Sequence, residues 1–336
     1  MRAVVTGGAG FIGSHLVERL LAEGHEVVVL DNFSTGTPGN LAHLEGAPGL
    51  EVHRVDVAEP GQVGDLLAGA HHVYHLAALA DIVPSIQRPL DYYRANVTGT
   101  VTILEAARAA GVQRFLYAAS SSCYGLPDVF PTPETAPIRP QYPYALTKFL
   151  GEECALHWGQ VYGLPVVSTR FFNVFGPRAR TTGTYGAVFG VFLRQRLAGA
   201  PLTIVGDGTQ TRDFTYVTDV VDAVRVAAER GAAGRVYNVG SGGTYSVNLL
   251  AELLGGERVG VPKRPGEPDC TFADTSRIRD ELGWEARVPF PEGVLRVLER
   301  IEDWREAPLW TPDGIAEATR DWFRFLGPTS PAREEP

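Results

Sequence analysis

Short apolar runs alternate with amphipathic stretches along the first two thirds of the chain. Arg2–Thr6 reads Arg-Ala-Val-Val-Thr and predicts a buried strand. Residues 14–24 repeat apolar positions at Leu16, Leu20 and Leu21, the spacing of a helix packed on a sheet, and Gly24 closes it. Val27-Val-Val-Leu30 predicts a second strand ending at Asp31. Further strands are predicted over Leu50–Val55, His71–Ala78, Arg114–Ser120 and Val166–Phe171, with helices over Asp91–Gly111 and from Tyr144 onward. Strands alternating with helices in this way imply an α/β fold with a Rossmann-like, doubly wound parallel sheet.

After Asn173 the pattern loosens. Gly, Arg and Thr fill 176–186, a helix is predicted over about 187–198 and a strand over Leu202–Val205. The helix Val217–Glu229 and the strand Arg235–Val239 are expected to return to the first sheet. Residues 244–326 are expected to hold two or three helices and a Pro-rich loop at 262–268. The expected organisation is a nucleotide-binding domain of 1–172 plus about 213–240, and a smaller C-terminal α/β substrate domain of about 173–212 plus 241–326. A polar, flexible tail is expected over 327–336.

Between the first strand and helix stand Gly7, Gly10 and Gly13, spaced Gly-x-x-Gly-x-x-Gly. Side chains there would block a phosphate, and a helix starting near Phe11 points its N–H groups at a pyrophosphate. Asp31, about twenty residues on, can accept hydrogen bonds from both hydroxyls of an adenosine ribose, and its charge repels a 2′-phosphate. The turn therefore predicts NAD rather than NADP. The small residues after Leu76, Ala77 and Ala78, let backbone approach the pyrophosphate. Asp56 reads either as a partner of the adenine amino group or as a strand cap. Asn96, disfavoured inside a helix, is expected to bond a neighbouring loop.

Composition narrows the function classes. The 336 residues are 44% hydrophobic and 21% charged, with no apolar run long enough for a bilayer. Met-Arg-Ala-Val-Val leads straight into a strand without a basic-then-apolar leader. Cys123, Cys154 and Cys270 show neither metal spacing nor a disulfide framework, which suits a reducing cytoplasm. Net charge −9 argues against a nucleic-acid surface. His71, His72 and His75 alternate across a strand, so no metal site is expected. Of 30 basic residues only Lys148 and Lys263 are lysine, which marks Lys148 for work that needs a compact point charge.

Tyr144 and Lys148 lie four apart on one helix face. An ammonium and a nicotinamide cation nearby would lower the phenol from its usual ~10, making Tyr144 a general base for a sugar hydroxyl. Lys148 can also donate to the nicotinamide ribose. Ser120, at a strand's carboxyl end, would share the proton of the reacting hydroxyl, while Ser121 and Ser122 read as turn caps or substrate contacts.

Together Gly7-Gly-Ala-Gly10-Phe11-Ile12-Gly13, Asp31-Asn32, Asp56-Val57, His75-Leu76-Ala77-Ala78, Asn96, Ser120 and Tyr144-x-x-x-Lys148 resemble the extended short-chain dehydrogenase/reductase family, to about residue 290. The resemblance implies that these residues bind a tightly held NAD, with Ser120, Tyr144 and Lys148 catalytic. Within the family the chain is most similar to UDP-sugar 4-epimerases. Arg170-Phe-Phe-Asn173, Thr211-Arg212-Asp213-Phe214 and Arg264-Pro-Gly-Glu267 match that group's contacts. The resemblance implies Asn173, Arg212 and Arg264 on the diphosphate and Glu267 on the uridine ribose. The 4,6-dehydratases carry Asp-Glu where this chain has Ser121-Ser122, and UDP-glucuronate decarboxylases typically carry Glu at the place of Ser122. The 120–125 run and the loop after Gly176 look more like UDP-hexuronate epimerases. There an Arg at the place of Arg180, helped by hydroxyls near Ser121 and Ser122, contacts the C6 carboxylate. Those relatives carry Thr where this chain has Asn173. Otherwise Arg178 and Arg180 are solvated loop charges or diphosphate contacts. The expected substrate pair is UDP-glucuronate/UDP-galacturonate, with UDP-glucose/UDP-galactose as the alternative. A non-catalytic NAD-sensing protein would have no use for the Ser120, Tyr144 and Lys148 relay. A homodimer through the helices at 91–111 and 144–160 is expected from the resemblance.

Overall fold

The computed structural model of the chain describes residues 1–179 and 186–327. The apolar runs form β1 (Arg2–Thr6), β2 (Glu26–Asp31), β3 (Leu50–Arg54), β4 (His72–His75), β5 (Arg114–Ser120) and β6 (Val166–Phe171). They lie in the order β3-β2-β1-β4-β5-β6, and a seventh strand, Val236–Val239, joins beyond β6. Every pair is parallel. The connecting helices are α1 (Phe11–Ala22), α2 (Ile82–Gln87), α3 (Pro89–Tyr93), α4 (Gly99–Ala110) and α5 (Pro143–Tyr162).

Alternation along the strands makes two cores. Val5, Val27 and Val29 pack with Leu16, Val17 and Leu20 of α1 on one face. Val4, Val28 and Leu30 pack with Ile103, Leu104 and Ala107 of α4 on the other. The predicted helix over 91–111 is found, with a π turn set into it. Pro89 opens α3, a π turn covers Arg94–Thr98, and α4 follows to a left-handed Gly111. That π turn, a feature common at functional sites, carries the wholly buried Asn96.

The remaining elements are β7 (Asn173–Phe175), α6 (Val188–Leu197), β8 (Leu202–Val205), β9 (Thr211–Arg212), β10 (Phe214–Tyr216), α7 (Val217–Arg230), β11 (Val236–Val239), β12 (Tyr245–Ser246), α8 (Val247–Leu254), β13 (Arg258–Val261), α9 (Ser276–Leu282), α10 (Phe290–Leu298), α11 (Pro312–Ala318) and α12 (Arg320–Leu326). Two-stranded pairs β7–β10, β8–β13 and β9–β12 frame the smaller core. Its centre is aromatic: Phe175 stacks on Phe189 at 4.6 Å and Phe214 on Phe290 at 5.0 Å.

The strand β11 and the helix α7 do return to the main sheet, α7 through Val220, Ala223, Val224 and Ala227. Two expectations for the last third need correction. Residues 244–326 hold five helices, α8 to α12, rather than two or three. Nor does 241–326 serve the smaller core alone, because Ile278, Leu282 and Trp284 are buried in the core beneath α1 and α7. The expected tail lies outside the described residues from 328 onward. Among the described residues no helix is long and apolar enough to cross a membrane.

Candidate functional site

The carboxyl ends of the central strands open on a cleft of about 670 Å³, lined from both cores. At one end is the glycine turn. Gly10 caps α1 with extended backbone and no side-chain hydrogen bond. Its carbonyl takes the Ser14 N–H at 3.0 Å, so the N–H groups of Phe11, Ile12 and Gly13 precede the first intrahelical donor. A Cβ on Gly13 would stand 2.1 Å from the Gly7 carbonyl oxygen, and one on left-handed Gly7 would stand 2.8 Å from the Ala77 nitrogen. Both positions admit only glycine. The result is a dipole-rich cradle of bare backbone, and it fits a pyrophosphate.

Asp31 lines the same end. Its Oδ2 accepts the Ala9 N–H at 2.9 Å and its Oδ1 the Phe33 N–H at 2.8 Å. Burial pushes its pKa up, against those two hydrogen bonds. Each oxygen keeps a second acceptor position, as a ribose diol requires. Asn32, Asp56, Val57, Leu76, Ala77 and Ala78 complete this wall. Asp56 makes the contacts of a cap, Oδ1 accepting the Ala58 N–H at 2.9 Å and Oδ2 pairing with Arg94 at 2.9 Å, and it also lies on the cleft wall, as the adenine reading requires.

Asn96 does not reach the cleft. Its Oδ1 accepts the Leu79 N–H at 2.8 Å, and its Nδ2 donates to the Leu79 carbonyl and to Thr147 Oγ1, both at 3.0 Å. It bonds a neighbouring loop, as expected, and so positions the wall rather than touching a ligand. The histidines are structural too: His75 is fully buried between Thr6 Oγ1 at 2.7 Å and Thr100 Oγ1 at 3.0 Å. Among the described residues no cluster of His, Cys, Asp or Glu could hold a metal ion.

Ser120, Tyr144 and Lys148 meet in the middle of the cleft. The β5 strand ends at Ser120 and α5 begins at Pro143, which brings Tyr144 over the strand end. The Tyr144 hydroxyl donates to Ser120 Oγ at 3.3 Å, and Ser120 donates to Ser122 Oγ at 3.1 Å. The Lys148 ammonium sits over the Tyr117 ring, 4.4 Å from its centroid. Burial pulls Lys148 down to about 7, against the attraction of Glu152. The expected lowering of Tyr144 is not found in the protein alone. Burial raises its pKa, and the opposing influence is the Ser120 hydrogen bond rather than Lys148. Beneath the site Glu152 and Arg170 form a buried ion pair at 2.7 Å.

The other end of the cleft is charged. Arg212 Nη2 meets Glu267 Oε1 at 2.9 Å, and Arg264 Nη1 lies 3.6 Å from Glu267 Oε2. That Oε2 is buried and makes no hydrogen bond, so it is an acceptor without a donor. Asn173 also lines this end, with Oδ1 accepting from Thr271 Oγ1 at 2.8 Å. Asp213 anchors the strand carrying Arg212, accepting the Ser241 N–H at 2.6 Å and the Ala273 N–H at 3.1 Å. Ser121 and Ser122 are on the wall between the two ends.

Arg178 is neither solvated nor on the cleft. It pairs with Glu18 and donates to His15 Nδ1 at 2.7 Å, fastening its loop to the outer side of α1. Arg180 lies outside the described residues. Sequence reasoning missed Asp81, Gln210, Trp310 and Trp322, all on the cleft wall. No periodicity or motif marked them, because each comes from a short element or loop.

Comparison with known proteins agrees with this geometry. A match to the NAD dependent epimerase/dehydratase family covers residues 3–240. The chain is 38% identical over 308 residues to the UDP-glucose 4-epimerase of Mycolicibacterium smegmatis, covering 89% of this chain and 98% of the relative. It is 35% identical over 325 residues to UDP-glucuronic acid decarboxylase 1 of Arabidopsis thaliana, covering 94% and 72%. The structure of UDP-glucuronic acid 4-epimerase from Bacillus cereus, in complex with UDP-glucuronic acid and NAD, superposes with a TM-score of 0.84 at 32% identity, covering 90% of this chain and 99% of that one.

Proposed function

Since the chain belongs to the NAD dependent epimerase/dehydratase family, we propose that it inverts C4 of a UDP-sugar through a 4-keto intermediate, with UDP-glucuronate and UDP-galacturonate as the pair. One observation carries this reading. The Tyr144–Ser120 hydroxyl pair stands between a bare-backbone cradle and a pair of arginines, and the Ser120–Gly125 turn holds no carboxylate. Without an acid or base there, elimination of water has no agent on this wall. The family relatives that decarboxylate or dehydrate are thereby disfavoured.

NAD, bound along the Gly7–Gly13 turn and Asp31, supplies the hydride acceptor and then the donor. The protein does the rest. Tyr144 takes the proton of the C4 hydroxyl, with Ser120 sharing it, and returns it after the keto sugar has turned over. Lys148, titrating near neutrality, offers a nearby cation when protonated and holds the nicotinamide ribose. Arg212, Arg264 and Asn173 hold the diphosphate, the guanidiniums forking onto its oxygens, and the donor-free Glu267 Oε2 takes the uridine ribose. Ser121 and Ser122, with Arg180, bind the C6 carboxylate and so restrain loss of CO2 from a β-keto acid. Exposed Leu90 and Tyr93 on α3, and Leu146, Val161 and Tyr162 on α5, form the face through which two copies pair.

The second reading, UDP-glucose and UDP-galactose, is favoured by the 38% identity to a UDP-glucose 4-epimerase. Product analysis by NMR separates the two. Purified protein without added NAD receives UDP-glucuronate or UDP-glucose, with Tyr144→Phe as the control expected to lose at least about 1,000-fold in turnover. Faster formation of UDP-galacturonate supports the hexuronate. Turnover of UDP-glucose alone replaces it, and loss of CO2 or water from either sugar overturns epimerisation.

A further inference from the structure

The loop that carries Arg264 and Glu267 has no strand or helix of its own. Arg264-Pro265-Gly266-Glu267 turns at Gly266, whose φ of +71° only glycine adopts readily, and this sets Arg264 and Glu267 facing the same side. Within the loop a 3.6 Å ion pair links those two residues and Lys263 pairs with Asp269 at 2.5 Å, while Glu267 reaches out of the loop to Arg212 at 2.9 Å. The loop's position is set from elsewhere.

Trp322, on the C-terminal helix α12, supplies a hold at two points. Its indole N–H donates to the Pro265 carbonyl at 2.7 Å. The Arg264 guanidinium lies over its ring, 5.3 Å from the centroid. Trp322 is 3% exposed and lines the cleft. Its helix is fixed in turn to the cofactor side, where α12 packs on α2 and Gln87 Nε2 donates to Asp321 Oδ2 at 2.9 Å. The Tyr142 ring packs against Trp322 at 6.3 Å and lies parallel to Tyr144, also at 6.3 Å. A continuous line of rings thus runs from the proton relay to the arginine at the far end of the cleft.

We propose that Trp322 is a positioning residue for the nucleotide-sugar site: through it the C-terminal helix clasps the Arg264–Glu267 turn in its binding geometry, taking the cost of ordering that loop before the nucleoside diphosphate arrives. This rests on the reading above, in which those residues take the diphosphate and ribose. A cation held over an indole and a carbonyl held by its N–H fix both the side chain and the backbone of the turn. Preordering of this kind shows in affinity rather than in the chemical step.

The test is calorimetric titration of the NAD-loaded enzyme with UDP, together with kinetics. W322A is expected to bind UDP at least about tenfold more weakly and to raise KM for the nucleotide sugar similarly, with kcat within about threefold and NAD content unchanged. W322F, which keeps the ring and loses the N–H, should fall between W322A and the wild type. In the cycle with R264A the losses should not multiply, because W322A acts through Arg264. Wild-type affinity in W322A, or losses that multiply, overturns the clasp. If W322A does not fold, W322F in the same cycle decides by the same criterion. A wild-type enzyme that does not bind UDP overturns both the clasp and the site reading beneath it, whereas UDP binding unaffected by W322A overturns the clasp alone.

Discussion

The two ends of the cleft are made of different materials. At the cofactor end the wall is backbone: Gly7, Gly10 and Gly13 at the tip of β1, with Ala77 and Ala78 just beyond β4, its parallel neighbour. Those residues are tied to the fold's framework: Gly7 N–H donates to the Leu30 carbonyl of β2 at 2.8 Å, Gly10 N–H to the Gly7 carbonyl at 3.1 Å and Ala77 N–H to Thr6 Oγ1 at 3.2 Å, and Gly13 lies in α1. At the far end the wall is side chains from separate segments, Asn173, Arg212, Arg264 and Glu267, and the charged ones hold one another. On the proposed reading, an incoming diphosphate would compete there with Glu267 for its two arginines. The difference suits the two ligands. On the proposed epimerase reading, a cofactor regenerated in each turnover can occupy a rigid cradle, while a substrate that enters and leaves meets groups that exchange partners.

Substitutions at each end should therefore separate the two functions. Gly13→Ala forces a methyl group to 2.1 Å from the Gly7 carbonyl oxygen, which accepts the Gly10 N–H within the turn at 3.1 Å. We expect NAD affinity to fall by about 100-fold or more, an order of effect typical of a severe backbone clash. The measurement is cofactor released on denaturation, with UDP affinity staying within about threefold. Full NAD content would show that the turn yields. Arg212→Ala, whose side chain is 9% exposed, strips Glu267 of its closest partner. Truncating one member of such a pair should weaken UDP roughly 30-fold or more and leave NAD content alone. Loss of NAD in that variant would mean that the two ends are one cooperative structure.

The same contrast decided what the sequence revealed. The strands β1, β5, β6 and β8 carry enough apolar and β-branched residues to stand out locally, and their predicted bounds match. The glycine turn is contiguous, so its chemistry is legible in seven residues. By contrast β7 and β10 are three residues each and pair across about forty residues of chain, too short for any period to show. The π turn at Arg94–Thr98 leaves the apolar spacing of a helix nearly intact, so the helix over 91–111 was legible but the π turn within it was not. At the substrate end only resemblance picked out Arg212, Arg264 and Glu267, because spacing in sequence says nothing of three loops meeting. Trp322 had no signal at all, since its role depends on α12 crossing to α2.

Lys148 sits where the two ends join, and it sharpens the comparison through pH. Its pKa is about 7 in the folded chain against 10.5 for the free side chain, because burial disfavours the ammonium. Between those values the unfolded chain binds a proton that the folded chain does not. Stability from this group therefore rises with pH across that window, and the penalty is fully present below about 7. Lys148→Met removes the penalty along with the cation over Tyr117. The variant should resist urea better than the wild type at pH 7 and at fixed NAD. Its advantage should shrink as pH rises toward 10.5, by up to about 1.4 kcal/mol per pH unit. On the proposed reading turnover should fall at every pH, since the nicotinamide ribose and the proton relay would both lose a donor. A gap in urea midpoint that does not move with pH would show that the ammonium is not strained in the fold. The middle of the cleft would then be built like its charged end, with each cation compensated, rather than like the backbone cradle.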